Sequence, residues 1–496
     1  MFNVADSVAN SVANSVTKSM SITASLPKRL SGALLLAGVL SACSMAPTYV
    51  RPEAPVAGSY PAAADGQAQL DAVALGWRQF FPDQRLQALI TSALENNRDL
   101  RTAALNIEQA RAQYDITASD ALPHFNGNFS RTRGRTAADQ LVPGQPAVGT
   151  SYQVGLNMTS FELDFFGRIR SLKDAALASY LATEEARQSA QISLVSQVAQ
   201  AYLTEQSFAE QQRLAQQTLD SRLDDYKLDK MRFDVGASSE LDLRNSETLV
   251  QSARVSLATL VRQRGQATNA LTLLVGKPLG DLPAPQSLSD EQIVTDIPAG
   301  LPSDLLTRRP DIREAEQQLR SANANIGAAR AAFFPTISLT AGIGNASTSL
   351  GSLFSAGSRT WSFVPQLTLP IFEGGRNRAN LSLSEIRKNL AIASYEKTIQ
   401  SAFREVADAL VARGTLEEEL SAQDAFVKAQ EQRVKLTDLR YKNGIASSTD
   451  RLNAQRDLFS AQQALIQTRQ LRLNNAIDLY RSLGGGLNEN TVATKS

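Results

Sequence analysis

Arg168 to Asp234 runs for 67 residues without a glycine or a proline. A second stretch, Arg376 to Asn443, has no proline and a single glycine, Gly414. At a rise of ~1.5 Å per residue each is a helical rod of roughly 100 Å. Propensity alone does not hold such a rod, so it needs lateral partners along its length. The composition agrees: aromatic residues make up only 6% of the chain, which favours extended helices packed on narrow seams over one globular core. Gly236 and Gly444 follow the two rods, and glycine is the residue that takes the left-handed cap conformation. Beyond them Val250, Leu257, Arg264 and Leu271 fall at seven-residue steps, matched by Leu458, Leu465, Arg472 and Leu479. A heptad row argues for coiled-coil packing. The chain runs out, turns tightly and comes back, and it does so twice.

The two excursions belong to an internal repeat. Asn97-Arg98-Asp99-Leu100-Arg101 matches Arg309-Pro310-Asp311-Ile312-Arg313, and Leu122-Pro123 matches Phe334-Pro335, both shifted by 212 residues. Arg232 to Gly236 matches Arg440 to Gly444, and Ala253, Leu257 and Gly276 match Ala461, Leu465 and Gly484, shifted by 208. The change of offset falls between Pro123 and Gly167, where a hairpin loop absorbs it. One supersecondary unit is used twice.

Each unit opens with helix. Arg85 to Leu122 lacks glycine and proline and carries Leu86, Leu89, Ile90, Ala93, Leu94 and Ala104 at helical spacing; Pro123 stops it. The period then becomes two. Tyr152, Val154, Leu156 and Met158 alternate with polar or small residues, as do Phe161, Leu163 and Phe165. Trp361, Phe363, Leu367, Leu369 and Ile371 do the same around Val364-Pro365. Their partners are Phe125 to Arg133 and Ile337 to Ile343, across Gly-, Ser- and Pro-rich loops. About ten residues of period two cross an outer membrane when tilted. Four strands cannot close a barrel, and unpaired edge groups in hydrocarbon cost several kcal/mol each. Membrane strands therefore require oligomerisation; the alternative is a soluble antiparallel ribbon packed on helices.

No run reaches the ~18–20 apolar residues of a spanning helix, so any crossing is by barrel. Lys28 and Arg29 precede an apolar stretch, Leu30 to Leu40, that ends in Leu40-Ser41-Ala42-Cys43. That order is a secretory signal, and Cys43 resembles the lipobox cysteine of bacterial lipoproteins, which carries diacylglyceryl and N-acyl groups. By resemblance to that class, Ser44 after it, in place of Asp, favours the outer over the inner membrane. Cys43 is the sole cysteine, so no internal disulfide forms. The residues before Pro27, with the echo Ser7 to Val16, are unusual for a signal, and the start is either Met1 or Met20.

No catalytic constellation is present, and the chain reads as a non-enzyme without a cofactor. His124 is the only histidine, which excludes multi-histidine metal sites. Gly374-Gly375 lacks the Lys-Ser/Thr of a phosphate loop. With 50 Lys+Arg against 49 Asp+Glu there is no basic footprint for nucleic acid.

Ala46-Pro47-Thr48-Tyr49-Val50-Arg51-Pro52, Trp77-Arg78-Gln79-Phe80-Phe81, Arg308 to Ile312, Ile371 to Arg376 and Asn453-Ala454-Gln455-Arg456 resemble the TolC-like outer membrane factors, in their lipidated NodT-type branch. The resemblance spans Cys43 to about Gly486. It implies a mostly helical α+β fold with two repeats of helix, β-hairpin, long helix and helix. It also implies a homotrimer: a twelve-stranded outer-membrane barrel continuing into a periplasmic α-helical barrel with an equatorial domain. The corresponding division is a signal peptide at 1–42, a lipidated equatorial segment at 43–84 and an equatorial connection at 276–303. The first repeat is 85–275, with hairpin 123–166, rod 168–234 and helix 239–274. The second is 304–484, with hairpin 335–372, rod 376–443 and helix 447–482, and the tail is 485–496.

By the same resemblance the protein is the passive exit duct of a tripartite efflux system, partnered by a periplasmic adaptor and a pump of the resistance-nodulation-division type. A type I secretion or ATP-driven exporter is the alternative within that class, and a lipid-anchored periplasmic coiled-coil scaffold the alternative outside it. Asp242 and Asp450 are carried over as gate residues, with Tyr441 and Arg456 as latch candidates. Asn453 departs from the acidic residue common there, and Thr449 from leucine. Ser239-Glu-Leu-Asp242 and Ser447-Ser-Thr-Asp450 also fit the helix-start pattern, so helix capping alone stands beside capping with gating. The turns at Gly236, Ser239, Gly444 and Ser447 are the expected docking edges for an adaptor.

Overall fold

The computed structural model describes residues 44–60, 74–144, 146–280, 282–283, 288–289, 293–295 and 302–491. Cys43 and the signal expected before it lie outside the described residues. The chain divides into a strand unit, His124–Arg170 with Ala331–Pro370, and a helical unit, Ala46–Pro123 with Ser171–Arg330 and Ile371–Ser496.

The strand unit is one antiparallel sheet in the order β1-β2-β3-β4. Its strands are Phe125–Arg135, Val148–Leu163, Thr336–Ser347 and Arg359–Thr368, of 11, 16, 12 and 10 residues. All reach the ~9–11 residues that a tilted strand needs to span hydrocarbon. Phe165, Leu369 and Ile371, expected to continue the alternation, fall beyond the strand ends. The pairings Phe129↔Val154, Leu156↔Ile343 and Ile343↔Trp361 put one apolar row across all four strands. Trp361 is 79% and Phe129 62% exposed, a wasteful surface in water and an ordinary one in lipid. Val364 aside, the opposite face is polar or small, with Asn157 Nδ2 donating to Asn128 Oδ1 at 2.6 Å. A Cβ on Gly344 of that face would sit 2.2 Å from the Val154 carbonyl oxygen, so glycine lets the strands close up there.

The step from even to odd apolar positions along β2 has a structural cause. Ser160 takes φ 51°, and the register shifts between Met158 and Phe161. This bulge adds a residue, returning Phe161 to the face of Met158.

The helical unit carries α1 (Trp77–Phe80), α2 (Gln84–Asn96), α3 (Arg98–Ser119), α4 (Arg168–Asp234) and α5 (Glu240–Val275). The second half supplies α6 (Pro302–Arg308), α7 (Pro310–Ala331), α8 (Arg376–Lys442) and α9 (Ser448–Ser482). The rods α4 and α8 are each 67 residues long, and α8 runs unbroken through Gly414. The main core gathers where α1, α2 and the middles of both rods meet the end of α9, around Phe80, Phe81, Tyr202, Tyr395 and Tyr480. Phe80 stacks on Tyr480 at 3.9 Å, and Tyr480 Oη donates to the Leu75 carbonyl at 2.6 Å. Tyr202 Oη donates to Asp83 Oδ2 at 2.8 Å, while Asp83 Oδ1 caps α2 through the backbone N–H of Arg85 and Leu86.

The helix expected over Arg85 to Leu122 is two helices, not one. Asn97 leaves the helical region (φ −63°, ψ 134°), and its side chain caps α3 by accepting from Leu100 N at 2.9 Å. Asparagine is among the strongest N-cap residues, so it restarts a helix without proline or glycine. Its amide also donates to the Leu274 carbonyl, at the end of α5, at 2.8 Å. The repeat mate of Asn97 is Arg309, whose Nη1 donates to the Ser482 carbonyl at the end of α9, at 2.9 Å. Leu274 and Ser482 are themselves repeat mates. The guanidinium of Arg309 is further held by Asp311 at 2.6 Å and Glu405 at 2.9 Å. Both halves thus tie the start of one helix to the end of their returning helix. The heptad arginines repeat as well: Arg264 pairs with Glu205 on α4, and Arg472 with Glu417 on α8, each at 2.8 Å.

Replacing Asn97 with alanine removes a cap and a partly buried hydrogen bond. The expected loss is about 1–3 kcal/mol, read as a lower thermal midpoint of the helical circular dichroism signal in detergent. Thr102→Ala, on the exposed side of α3, should stay within about 0.5 kcal/mol.

Candidate functional site

The two tips where rod meets returning helix are built alike. Gly236 and Gly444 both take φ +72°, in the left-handed region that favours glycine. Ala237 N reaches back to the Arg232 carbonyl at 2.7 Å, and Ile445 N to that of Arg440 at 2.8 Å, closing both rods with the same cap. Ser239 Oγ then accepts from Asp242 N at 3.1 Å and donates to Asp242 Oδ2 at 2.6 Å. Ser447 Oγ accepts from Asp450 N at 3.1 Å, and the Ser447 backbone N–H donates to Asp450 Oδ2 at 3.0 Å, a complete capping box.

Capping therefore engages both aspartates. The Ser447 hydroxyl and then its backbone N–H hold the Asp450 carboxyl below its ordinary value. A depressed carboxylate contributes its stabilisation above the unfolded value near pH 4 and loses it as the pH falls through the lower folded value. Asp450 is nonetheless exposed and Asp242 half-buried, so each keeps a negative edge toward solvent. Asn453 lies half-buried one turn into α9.

Below the surface of the tips a charged junction joins the first rod to the second tip. Arg451 Nη1 donates to Asp225 Oδ1 at 3.0 Å, and its Nη2 lies 3.7 Å from Asp229 Oδ2. Gln455 Nε2 donates to Asp225 Oδ2 at 3.1 Å. The Arg451 guanidinium sits 4.5 Å over the ring of Tyr441, whose hydroxyl accepts from Arg232 Nη1 at 2.6 Å. Arg451 is 5% and Asp229 2% exposed. Burial pushes the Asp229 carboxyl up, with Arg451 pulling against it. Asp229 Oδ2 and Arg451 Nε and Nη2 are buried without a hydrogen bond. A buried ion pair left partly unsatisfied is weakly favourable as a whole, yet breaking one side of it strands a charge.

Tyr441 belongs to this junction, whereas Arg456 does not. Arg456 is exposed, and its Nη2 lies 3.6 Å from Asp457 Oδ1. Five residues beyond Arg451 on one helix, it stands roughly 140° around the axis from it. Sequence reasoning missed Asp225, Asp229, Arg232, Arg451 and Gln455. One signal was available: Arg451 stands where the first repeat has Leu243, a buried apolar residue, so an arginine at that position faces inward. Among the described residues no three of His, Cys, Asp and Glu come together as a metal site, and no helix is long and apolar enough to cross a membrane.

The chain resembles known proteins over nearly its full length. The antibiotic efflux pump outer membrane protein ArpC of Pseudomonas putida is 46% identical over 471 residues, 94% of this chain and 97% of that one. The crystal structure of a membrane protein from Pseudomonas aeruginosa superposes with a TM-score of 0.85 at 47% identity, covering 89% of this chain and 100% of that one. The open state of the Neisseria gonorrhoeae MtrE outer membrane channel gives 0.84 at 42% identity, covering 91% and 100%. The family model for outer membrane efflux proteins matches residues 89–277 and 301–485, once on each repeat. By that match and these identities, the chain belongs to the outer membrane efflux protein family.

Proposed function

We propose that three copies of this chain form the passive, gated exit duct of a tripartite efflux system in the outer membrane. Each copy lends four strands to a membrane barrel and its rods to a periplasmic conduit. The observation that carries the reading is the sheet itself, with one face apolar, the other polar or small, and two edges unpaired within the chain. Energy comes from a partner pump of the resistance-nodulation-division type, reached through a periplasmic adaptor, and the cargo is drugs or other small molecules. The tips suit adaptor docking: Val235, Leu241 and Ile445 are 78%, 70% and 66% exposed beside the two glycine turns. Cys43 carries the lipid that tethers the mature N-terminus to the membrane.

Asp242 and Asp450, repeated by symmetry around the pore, attract cations and repel one another, while the Arg451 junction holds the tips inward. In planar bilayers the purified protein should conduct, and Arg451→Leu should raise single-channel conductance several-fold by leaving Asp225 and Asp229 unpaired. Asp242→Asn with Asp450→Asn should reduce cation selectivity without that gain. A wild type that leaves the bilayer sealed contradicts the duct, and an Arg451→Leu channel with wild-type conductance contradicts the latch. For the anchor, Cys43→Ser should abolish incorporation of labelled palmitate in cells; undiminished labelling would contradict it.

A further inference from the structure

The apolar face of the sheet ends in arginines at one end only. Side chains two apart on a strand share a face, so Phe125 and Phe129 of β1 are followed on theirs by Arg131, Arg133 and Arg135. On β4, Trp361 shares its face with Arg359. The register places Arg131 opposite Tyr152 and Arg359 opposite Asn345, both one step beyond the apolar row. This is the hairpin-tip end of the sheet. The same face finishes at its other end in Leu163, Ile337 and Leu367, which carry no charge.

All four arginines are exposed. None of them is ion-paired to a carboxylate among the described residues, and the Arg131 guanidinium lies 5.7 Å over the ring of Tyr152. Residues 125–163 and 336–368 hold only two acids. Glu162 is at the opposite end of β2, bound to Arg168 at 2.7 Å, and Asp139 is in the hairpin loop. Three arginines in a row on the lipid side are tolerated at an interface, where the penalty for a charge falls away, and an anion there neutralises them.

We propose that Arg131, Arg133 and Arg135 of one copy, with Arg359 of the adjoining copy, form a seam on the outside of the barrel. This seam binds the headgroup phosphates of an outer-leaflet lipid. The inference rests on the exit-duct reading, in which the helices are periplasmic and the hairpin tips face outward. β1 and β4 are the two edges of the sheet, so closing a barrel from copies brings them together with their apolar faces on the same side. The guanidinium fork matches phosphate geometry better than any other side chain. The steps of about 7 Å between successive arginines space them for a headgroup with more than one phosphate. Phe129 and Trp361, one step toward the membrane centre, offer the acyl chains an apolar wall continuous with the seam. That continuity selects a lipid over a free anion.

Native mass spectrometry of the detergent-solubilised full chain tests this with bisphosphorylated lipid A and its dephosphorylated form. The wild-type trimer should hold the phosphorylated lipid at least about tenfold more tightly. Arg131→Gln with Arg133→Gln and Arg135→Gln should lose that preference, and the three lysine replacements should recover most of it. A wild-type trimer that binds both lipids equally overturns the seam without touching the duct, and needs no variant to fold. A triple-glutamine trimer that binds as the wild type overturns it equally. A wild-type protein found only as monomer contradicts the duct reading itself.

Discussion

A peptide group without a hydrogen-bond partner costs several kcal/mol in hydrocarbon, and both outer edges of this four-stranded sheet are open. Everything else in the chain is compatible with that constraint being met by identical copies. The outward row from Phe129 to Trp361 needs lipid, and the opposite row of Asn, Ser, Thr and Gly needs water. The glycines let the strands close up on the polar side, as a curved wall requires, and the bulge at Ser160 keeps the apolar row continuous along the longest strand. A soluble ribbon would have no use for a face this apolar.

The helical unit meets a different demand, which is to give two 67-residue rods partners along their length. Duplication supplies the answer with few residue types. Asn97 and Arg309 tie down the ends of α5 and α9, Arg264 and Arg472 reach across to Glu205 and Glu417, and Gly236 and Gly444 turn both rods in the same conformation. The halves differ at the tips. There the first repeat offers Leu243 and the second Arg451, and the exchange turns an apolar contact into a buried charge that binds the first rod. The halves agree along the rods and at the turns, and at this position they part.

Much of this was legible in the residues. Absence of glycine and proline marks both rods, and two glycines mark both turns. The shift of the apolar row from Met158 to Phe161 is visible in the residues, but its cause, the bulge at Ser160, came only with the structure. The break at Asn97 was not legible, because asparagine caps a helix only when its backbone leaves the helical region, and spacing does not reveal that. The charged junction was only partly legible: Tyr441 lies in it, while Arg456 stands on the exposed side of α9, since a sequence does not say which side of that helix meets α4. The aspartates illustrate the same limit from the other side: the serine-to-aspartate spacing foretold their capping bonds, and any role at a pore depends on copies of the chain that spacing cannot describe.

A wall built from identical copies pairs the open edge of β1 with the open edge of β4 in another copy. Disulfide trapping in intact outer membranes tests this pairing, with single cysteines introduced on the polar face of each edge strand, such as Ser130→Cys on β1 combined in turn with Thr360→Cys, Ser362→Cys and Gln366→Cys on β4, each compared with the parent chain that carries Cys43 alone. Edges that pair bring Cα atoms within about 4.4–6.8 Å, close enough to bridge without strain. At least one combination should then migrate, without reductant, as a ladder ending at three chains. Monomers alone in every combination, from protein that is folded and in the membrane, would contradict it.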